Sequence, residues 1–293
     1  MKDSDNQKPG QMPALAAGVE TRQIEVNGIS VTYHEAGQGN TAHPPVVLIH
    51  GSSGSTMGHF GFLFPMLATH HRVISLDLAN PVKAGEKLEL EHIEAQVLAV
   101  MEAACPRQKV TLLGFSLGAV VAGFMAGRHQ DKIENLVLLA GWIKTDTMMT
   151  FFNRTWFALR NAGLSELNDY TIYAAFSAPF LASKTVEEMA VGAMPLDAFV
   201  DAQMELNARV DITEEVPRIT APTLIISGTY DTMVPLHHAH ALFGAIENAR
   251  FAEIGSGHAA VFERPAEVTR LVDRFAANPE EYPAGSTVPA LKP

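Results

Sequence analysis

Apolar and polar positions alternate over Ile24-Glu25-Val26 and again over Ile29-Ser30-Val31-Thr32-Tyr33, with Asn27-Gly28 between them. A period of two marks half-buried strands, and Asn-Gly suits a type I′ turn, which needs positive φ at both central residues. The chain is therefore predicted to open with an antiparallel hairpin. The pattern then changes to short continuous apolar runs: Val46–Ile49, Val73–Leu76, Val110–Leu113, Leu136–Leu139 and Thr223–Ile226. Such runs predict strands covered on both faces, as in a mostly parallel sheet between helices. Glu91–Ala104 carries Ile93, Val97, Val100 and Met101 at helical spacing, and Leu117–Arg128 and Pro265–Ala277 are also predicted helices. Phe251–Ile254 is predicted as a last strand. The fold class is α/β: a mostly parallel sheet with an antiparallel start and helices on both faces.

The alternation stops over residues 142–217. This stretch holds Trp142, Met148, Met149, Phe151, Phe152, Trp156, Phe157, Tyr170, Tyr173, Phe176 and Phe180, with no evident strand. It is predicted as several helices inserted between two strands, a cap or lid whose apolar side chains pack its own interior and border a site at the strands' carboxyl ends. The core then comprises residues 21–141 and 218–277. Residues 1–20 are polar and broken by Pro and Gly, and are expected to form a flexible arm. Residues 278–293 are Pro/Gly-rich and expected to be irregular.

Composition narrows the partners. The net charge of −11 across 293 residues argues against nucleic acid or an anionic membrane surface. A single cysteine, Cys105, excludes an intrachain disulfide. No apolar leader and no run of transmembrane length is present, so the expected location is cytoplasmic. Oligomeric state has no signature here.

The sharpest local signal is Gly114-Phe115-Ser116-Leu117-Gly118, directly after one predicted strand and directly before a predicted helix. A strand-to-helix turn this tight brings neighbouring backbone close, so glycine is needed at the flanks and the serine oxygen is exposed. Serine is a weak nucleophile without a base. Of twelve histidines, His258 is selected because Gly255-Ser256-Gly257-His258 follows the last strand and precedes the last helix. His70, His71 and His129 flank elements and are expected to be exposed. His237, His238 and His240 cluster at a helix start, but no nearby residue completes a ligand set, so no metal is expected. A base of this kind needs an acid on its second nitrogen. Asp231, after the Thr223–Ile226 strand, is the candidate, and Asp146 is its rival. Backbone N–H groups of Leu117 and Ser52 are the candidate oxyanion donors, the latter from the loop His50-Gly51-Ser52-Ser53-Gly54-Ser55. His50 is expected to brace that loop. Ser53, Phe115, Trp142 and Met233 are the candidates for lining a substrate pocket.

These residues together resemble the α/β-hydrolase superfamily, in its serine-nucleophile esterase-like and perhydrolase-like branch. The matching segments are His50-Gly51, Gly114–Gly118, Gly228-Thr229-Tyr230-Asp231 with Val234-Pro235, and Gly257-His258, in order across residues 24–277. The resemblance implies an eight-stranded sheet, a helical cap after the sixth strand, and hydrolysis without a cofactor. It also implies a Ser116–His258–Asp231 triad and cleavage of an ester, lactone or thioester of an apolar small molecule through an acyl-enzyme. Carbon–carbon bond hydrolysis, perhydrolysis, acyl transfer or cyclisation fit the same residues, as does a small-molecule receptor without turnover. Serine rather than aspartate at the turn disfavours the haloalkane dehalogenase and epoxide hydrolase branches. The sequence departs from the family at Asp77-Leu78-Ala79-Asn80-Pro81, where relatives often carry an Asp-x-x-Gly-x-Gly/Ser loop.

Overall fold

Asn27 and Gly28 both take positive φ (51° and 86°), and the strands on either side, β1 (Glu20–Val26) and β2 (Ile29–Ala36), pair antiparallel from Val26–Ile29 to Glu20–Glu35. The computed structural model describes Leu15 and residues 18–83, 85–190 and 196–289. The hairpin feeds β3 (Val46–Ile49), α1 (Thr56–Phe60), α2 (Leu63–Leu67) and β4 (Val73–Asp77). Then follow α3 (Leu90–Ala104), β5 (Val110–Phe115), α4 (Leu117–Arg128) and β6 (Ile133–Leu139). Five helices come next: α5 (Thr147–Ala162), α6 (Glu166–Ala175), α7 (Ala178–Leu181), α8 (Val186–Ala190) and α9 (Ala198–Asn207). The chain ends with β7 (Thr223–Gly228), α10 (Leu236–Ala245), β8 (Ala249–Ile254), α11 (Ala260–Glu263), α12 (Pro265–Ala277) and β9 (Ser286–Thr287).

The strands form one sheet in the order β1-β2-β4-β3-β5-β6-β7-β8-β9, parallel from β4 through β9. Their side chains divide strictly between two cores, as a period of two requires. Val47, Ile49, Leu112, Leu136 and Leu138 face α3, α4 and α10, while Val46, Leu48, Leu113, Val137 and Leu139 face α2 and α12. Each such fully buried aliphatic contributes about 1.5–3 kcal/mol, which is why these strands read as unbroken apolar runs.

Three expectations need correction. The sheet has nine strands, not eight, because the tail is not wholly irregular: β9 adds parallel to β8, and Val288 is buried behind it. Most of the expected N-terminal arm lies outside the described residues, but Leu15 is buried in the α2/α12 core and Glu20 already belongs to β1. His71, expected at the surface, is buried with Nε2 2.8 Å from Asp273 Oδ1. The two ends of the β6–β7 insertion are zipped by Thr145 N–H to the Val210 carbonyl (3.0 Å) and Ile212 N–H to the Ile143 carbonyl (2.9 Å). Among the described residues, no helix is long and apolar enough to cross a membrane.

Candidate active site

β5 ends at Phe115 and α4 begins at Leu117, so Ser116 alone makes the turn, at φ 56° and ψ −120°. A non-glycine residue there costs on the order of 1–3 kcal/mol and persists only where its surroundings over-determine it. They do so here. The Ser116 N–H donates to the Leu139 carbonyl (2.9 Å), and the Ser116 carbonyl accepts from Ala119 and Val120. A Cβ at Gly114 would meet the Gly118 carbonyl oxygen at 2.1 Å, and one at Gly118 would meet the Ile49 carbonyl oxygen at 2.0 Å. Glycine at both flanks is therefore a steric requirement of the turn.

His258 and Asp231 arrive from loops at the same carboxyl edge. The Ser116 hydroxyl lies 2.9 Å from His258 Nε2, and His258 Nδ1 lies 2.8 Å from Asp231 Oδ2. An ionised Asp231 accepts from Nδ1–H, which leaves Nε2 as an acceptor for the serine proton. Asp231 Oδ1 accepts the Met233 and Val234 N–H groups at 2.9 and 2.8 Å, so the carboxylate is clamped and its side chain is fully buried. Met233 thus serves the acid through its backbone. The rival, Asp146, is engaged elsewhere: it caps α5 through the Met149 N–H and lies 2.9 Å from His237 Nε2.

The loop after β3 runs against the nucleophile. A Cβ at Gly51 would stand 2.9 Å from Ser116 Cβ. His50 is buried and braces the loop: its Nδ1–H donates to the Gly51 carbonyl (2.7 Å), and Nε2 accepts the Leu78 N–H (3.0 Å). Burial pushes its pKa down, which suits that neutral tautomer. The N–H of Leu117, first in α4, has no intrahelical acceptor, and among the described residues neither it nor the Ser52 N–H has a partner. The Ser53 N–H, in contrast, is taken by Gln203 Oε1 at 2.8 Å, and the Ser53 hydroxyl turns back to the Ser52 carbonyl.

Three residues here were not anticipated from sequence. Gln203 and Asn207, buried and one helical turn apart on α9, both reach the loop: Asn207 Nδ2 donates to Ser52 Oγ at 2.8 Å. Ser53 has φ 56°, so Gln203 secures a strained residue beside the candidate oxyanion donor. Replacing Gln203 with Leu is expected to lower kcat by about 10–100-fold with a smaller change in KM, because a misplaced donor weakens transition-state contacts more than ground-state ones. Steady-state kinetics check this, and an unchanged kcat would deny the clamp any part in turnover. The third residue is His59. Its Nδ1 accepts the Gly51 N–H at 3.2 Å, and burial, together with His50 and His258 nearby, pushes its pKa down to about 3. It is a neutral Nε2–H donor beside the site.

Rings extend from the insertion to the histidine. Phe180 stacks on Phe176 (5.2 Å between centroids), Phe176 meets Phe262 (6.2 Å), Phe262 meets His59 (6.3 Å), His59 meets Phe115 (5.1 Å), and Phe115 meets His258 (5.4 Å). The end of α6 is tied to both catalytic-candidate loops: Thr232 Oγ1 donates to the Ala174 carbonyl and the Ala259 N–H to the Ala175 carbonyl. Glu263 accepts from the Ser177 N–H and hydroxyl and from the Gly257 N–H. Trp142, expected to line the pocket, is instead only 2% exposed in the α3/α4/α10 core, with its indole N–H on Thr145 Oγ1.

A mostly parallel sheet thus carries a strained serine between strand and helix, in line with an imidazole–carboxylate pair. A model of the alpha/beta hydrolase fold family matches residues 44–265, and the chain belongs to that family. It is similar to a pyrrolizixenacetamide deacetylase of Xenorhabdus hominickii, 28% identical over 86% of this chain and 97% of that protein. It is also similar to a pimeloyl-(acyl-carrier protein) methyl ester esterase of Aeromonas hydrophila, 25% identical over 84% of this chain and 99% of the relative. Among solved structures, an enol-lactonase from Burkholderia xenovorans LB400 has the same fold, with a TM-score of 0.75 and 23% identity over 87% of this chain and 99% of that one. These relatives are hydrolases, and general hydrolase function follows for this chain.

Proposed function

We propose that the protein hydrolyses a carboxylic ester or lactone of an apolar small molecule through an acyl-Ser116 intermediate. The observation that carries this is the continuous line Ser116 Oγ–His258 Nε2–His258 Nδ1–Asp231 Oδ2, at 2.9 and 2.8 Å. Ser116 Oγ attacks the carbonyl carbon while His258 Nε2 takes its proton. The Ser52 and Leu117 N–H groups receive the developing oxyanion. His258 then passes the proton to the leaving oxygen as the carbonyl re-forms. Water repeats the sequence: His258 takes its proton, hydroxide oxygen adds to the acyl carbon, and the proton returns to Ser116 as the acid departs.

The arc Phe180–Phe176–Phe262 supports an apolar acyl group, and the helical insertion acts as the lid over it. Each added CH₂ buried there favours binding by about 0.8 kcal/mol, roughly fourfold in kcat/KM when the gain is kept in the transition state. p-Nitrophenyl butyrate and hexanoate are therefore expected to exceed the acetate in kcat/KM, and an anionic acyl chain to be disfavoured by its desolvation. A second reading, removal of a small N-acyl group, is favoured by the name of the Xenorhabdus relative. Kinetics across the acyl series separate the two: preference for acetate would overturn the apolar-acyl reading and favour deacylation of a small amide.

A further inference from the structure

Consecutive residues on a helix normally diverge by about 100°, since 3.6 residues make a turn. His237 and His238, in the first turn of α10, instead converge on one atom. Their Nε2 atoms lie 2.9 and 3.4 Å from Asp146 Oδ2, and their rings are 4.2 Å apart between centroids. All three ligand atoms lie within 4.8 Å of one another, the one set of three such groups found among the described residues. The third neighbour in sequence, His240, stands apart with its ring edge-on to Phe251. Asp146, which completes the set, comes from 91 residues away.

We propose that Asp146, His237 and His238 form a binding site for a borderline divalent transition-metal ion of the Zn²⁺ type. Two imidazoles and one carboxylate suit such an ion, and ligand atoms of a tetrahedral site with bonds of 2.0–2.1 Å are separated by about 3.3 Å, close to the separations seen. A second observation also points to a ligand. His238 is 5% exposed, and its Nε2 is buried with no hydrogen-bond partner although it faces the carboxylate. An unpaired buried nitrogen is costly, and a cation between it and Asp146 would satisfy both. Asp146 is already oriented as an outer contact requires, because Oδ1 accepts the Met149 N–H and Oδ2 is left for the ion. His237, largely exposed, gives the ion a route in from solvent and leaves a fourth position for water. Asp146 precedes α5, the first helix of the insertion, while both histidines belong to α10 of the core. The ion would thus pin the insertion's entry to the scaffold without touching Ser116.

The test uses tag-free full-length chain dialysed against EDTA and titrated with Zn²⁺ by calorimetry and thermal unfolding. One ion per chain is expected, with Tm raised by about 5 °C at a hundredfold excess over Kd. His238→Gln, His237→Gln and Asp146→Asn are each expected to raise Kd by more than about a hundredfold, since loss of an outer contact alone costs about 10–100-fold. Asp146→Asn keeps an oxygen for the α5 cap, and His237 is a surface residue, so these two variants hold the test even where His238→Gln folds poorly. His70→Gln, at the separate His70–His71–Asp273 group, should leave Kd unchanged. Absence of saturable binding, binding that survives both Asp146→Asn and His237→Gln, or binding abolished by His70→Gln would overturn the proposal.

Discussion

Ser116→Ala is expected to lower kcat by about 10⁶-fold while leaving the thermal unfolding profile close to that of the parent. The size follows from the loss of the acyl acceptor itself: the nucleophile and its base act as a unit, so removal of either abolishes the covalent route. The parent-like stability follows because, among the described residues, the serine hydroxyl hydrogen-bonds only to His258, whereas the turn is held by the Ser116 backbone and by the close approach at Gly114 and Gly118. Activity within a hundredfold of the parent would place the nucleophile elsewhere.

Asp231→Asn is expected to lower kcat by about 10⁴-fold, the size the same change has in a serine protease with this arrangement. Oδ1 is clamped by the Met233 and Val234 N–H groups and must stay an oxygen, so the amide NH₂ turns toward His258 Nδ1. The imidazole then accepts at Nδ1 and carries its proton on Nε2, the wrong tautomer to receive the serine proton. Asp146→Asn should change kcat by less than about twofold, since its carboxylate meets His237 and not His258. Measured side by side, the reverse ranking would make Asp146 the acid.

The fold was legible wherever local pattern and tertiary need agree. The small apolar run of α4 begins and ends as its sequence predicts, at Leu117 and Arg128, and β3 is the four-residue run Val46–Ile49. β9 was not legible, because two residues carry no period and Ser286–Thr287 is a strand only by its pairing with Arg250 and Phe251. The insertion's helix boundaries were equally hidden: aromatic and Met side chains stud its whole length, so no face stands out. Ser116, His258 and Asp231 could be proposed because each sits in a short segment whose glycines and flanking elements declare a turn at the sheet edge. Gln203 could not, since its partner Ser53 is 150 residues distant and a glutamine on a helix gives no sign of being buried. Trp142 misled for the opposite reason. It was named as a pocket candidate among the insertion's apolar residues, yet its ring is buried in the core, with its N–H satisfied by Thr145. His237 and His238 were visible as a pair, but their common partner was out of sequence range.

The central claim is that Ser116 is the activated nucleophile, and covalent labelling with a fluorophosphonate followed by peptide mapping tests it most directly. The predicted result is one label per chain, on the peptide containing Gly114-Phe115-Ser116-Leu117-Gly118, with activity lost in proportion to labelling and no label on Ser116→Ala. A label on Ser52, Ser53 or Ser55, or full activity in stoichiometrically labelled protein, would contradict it.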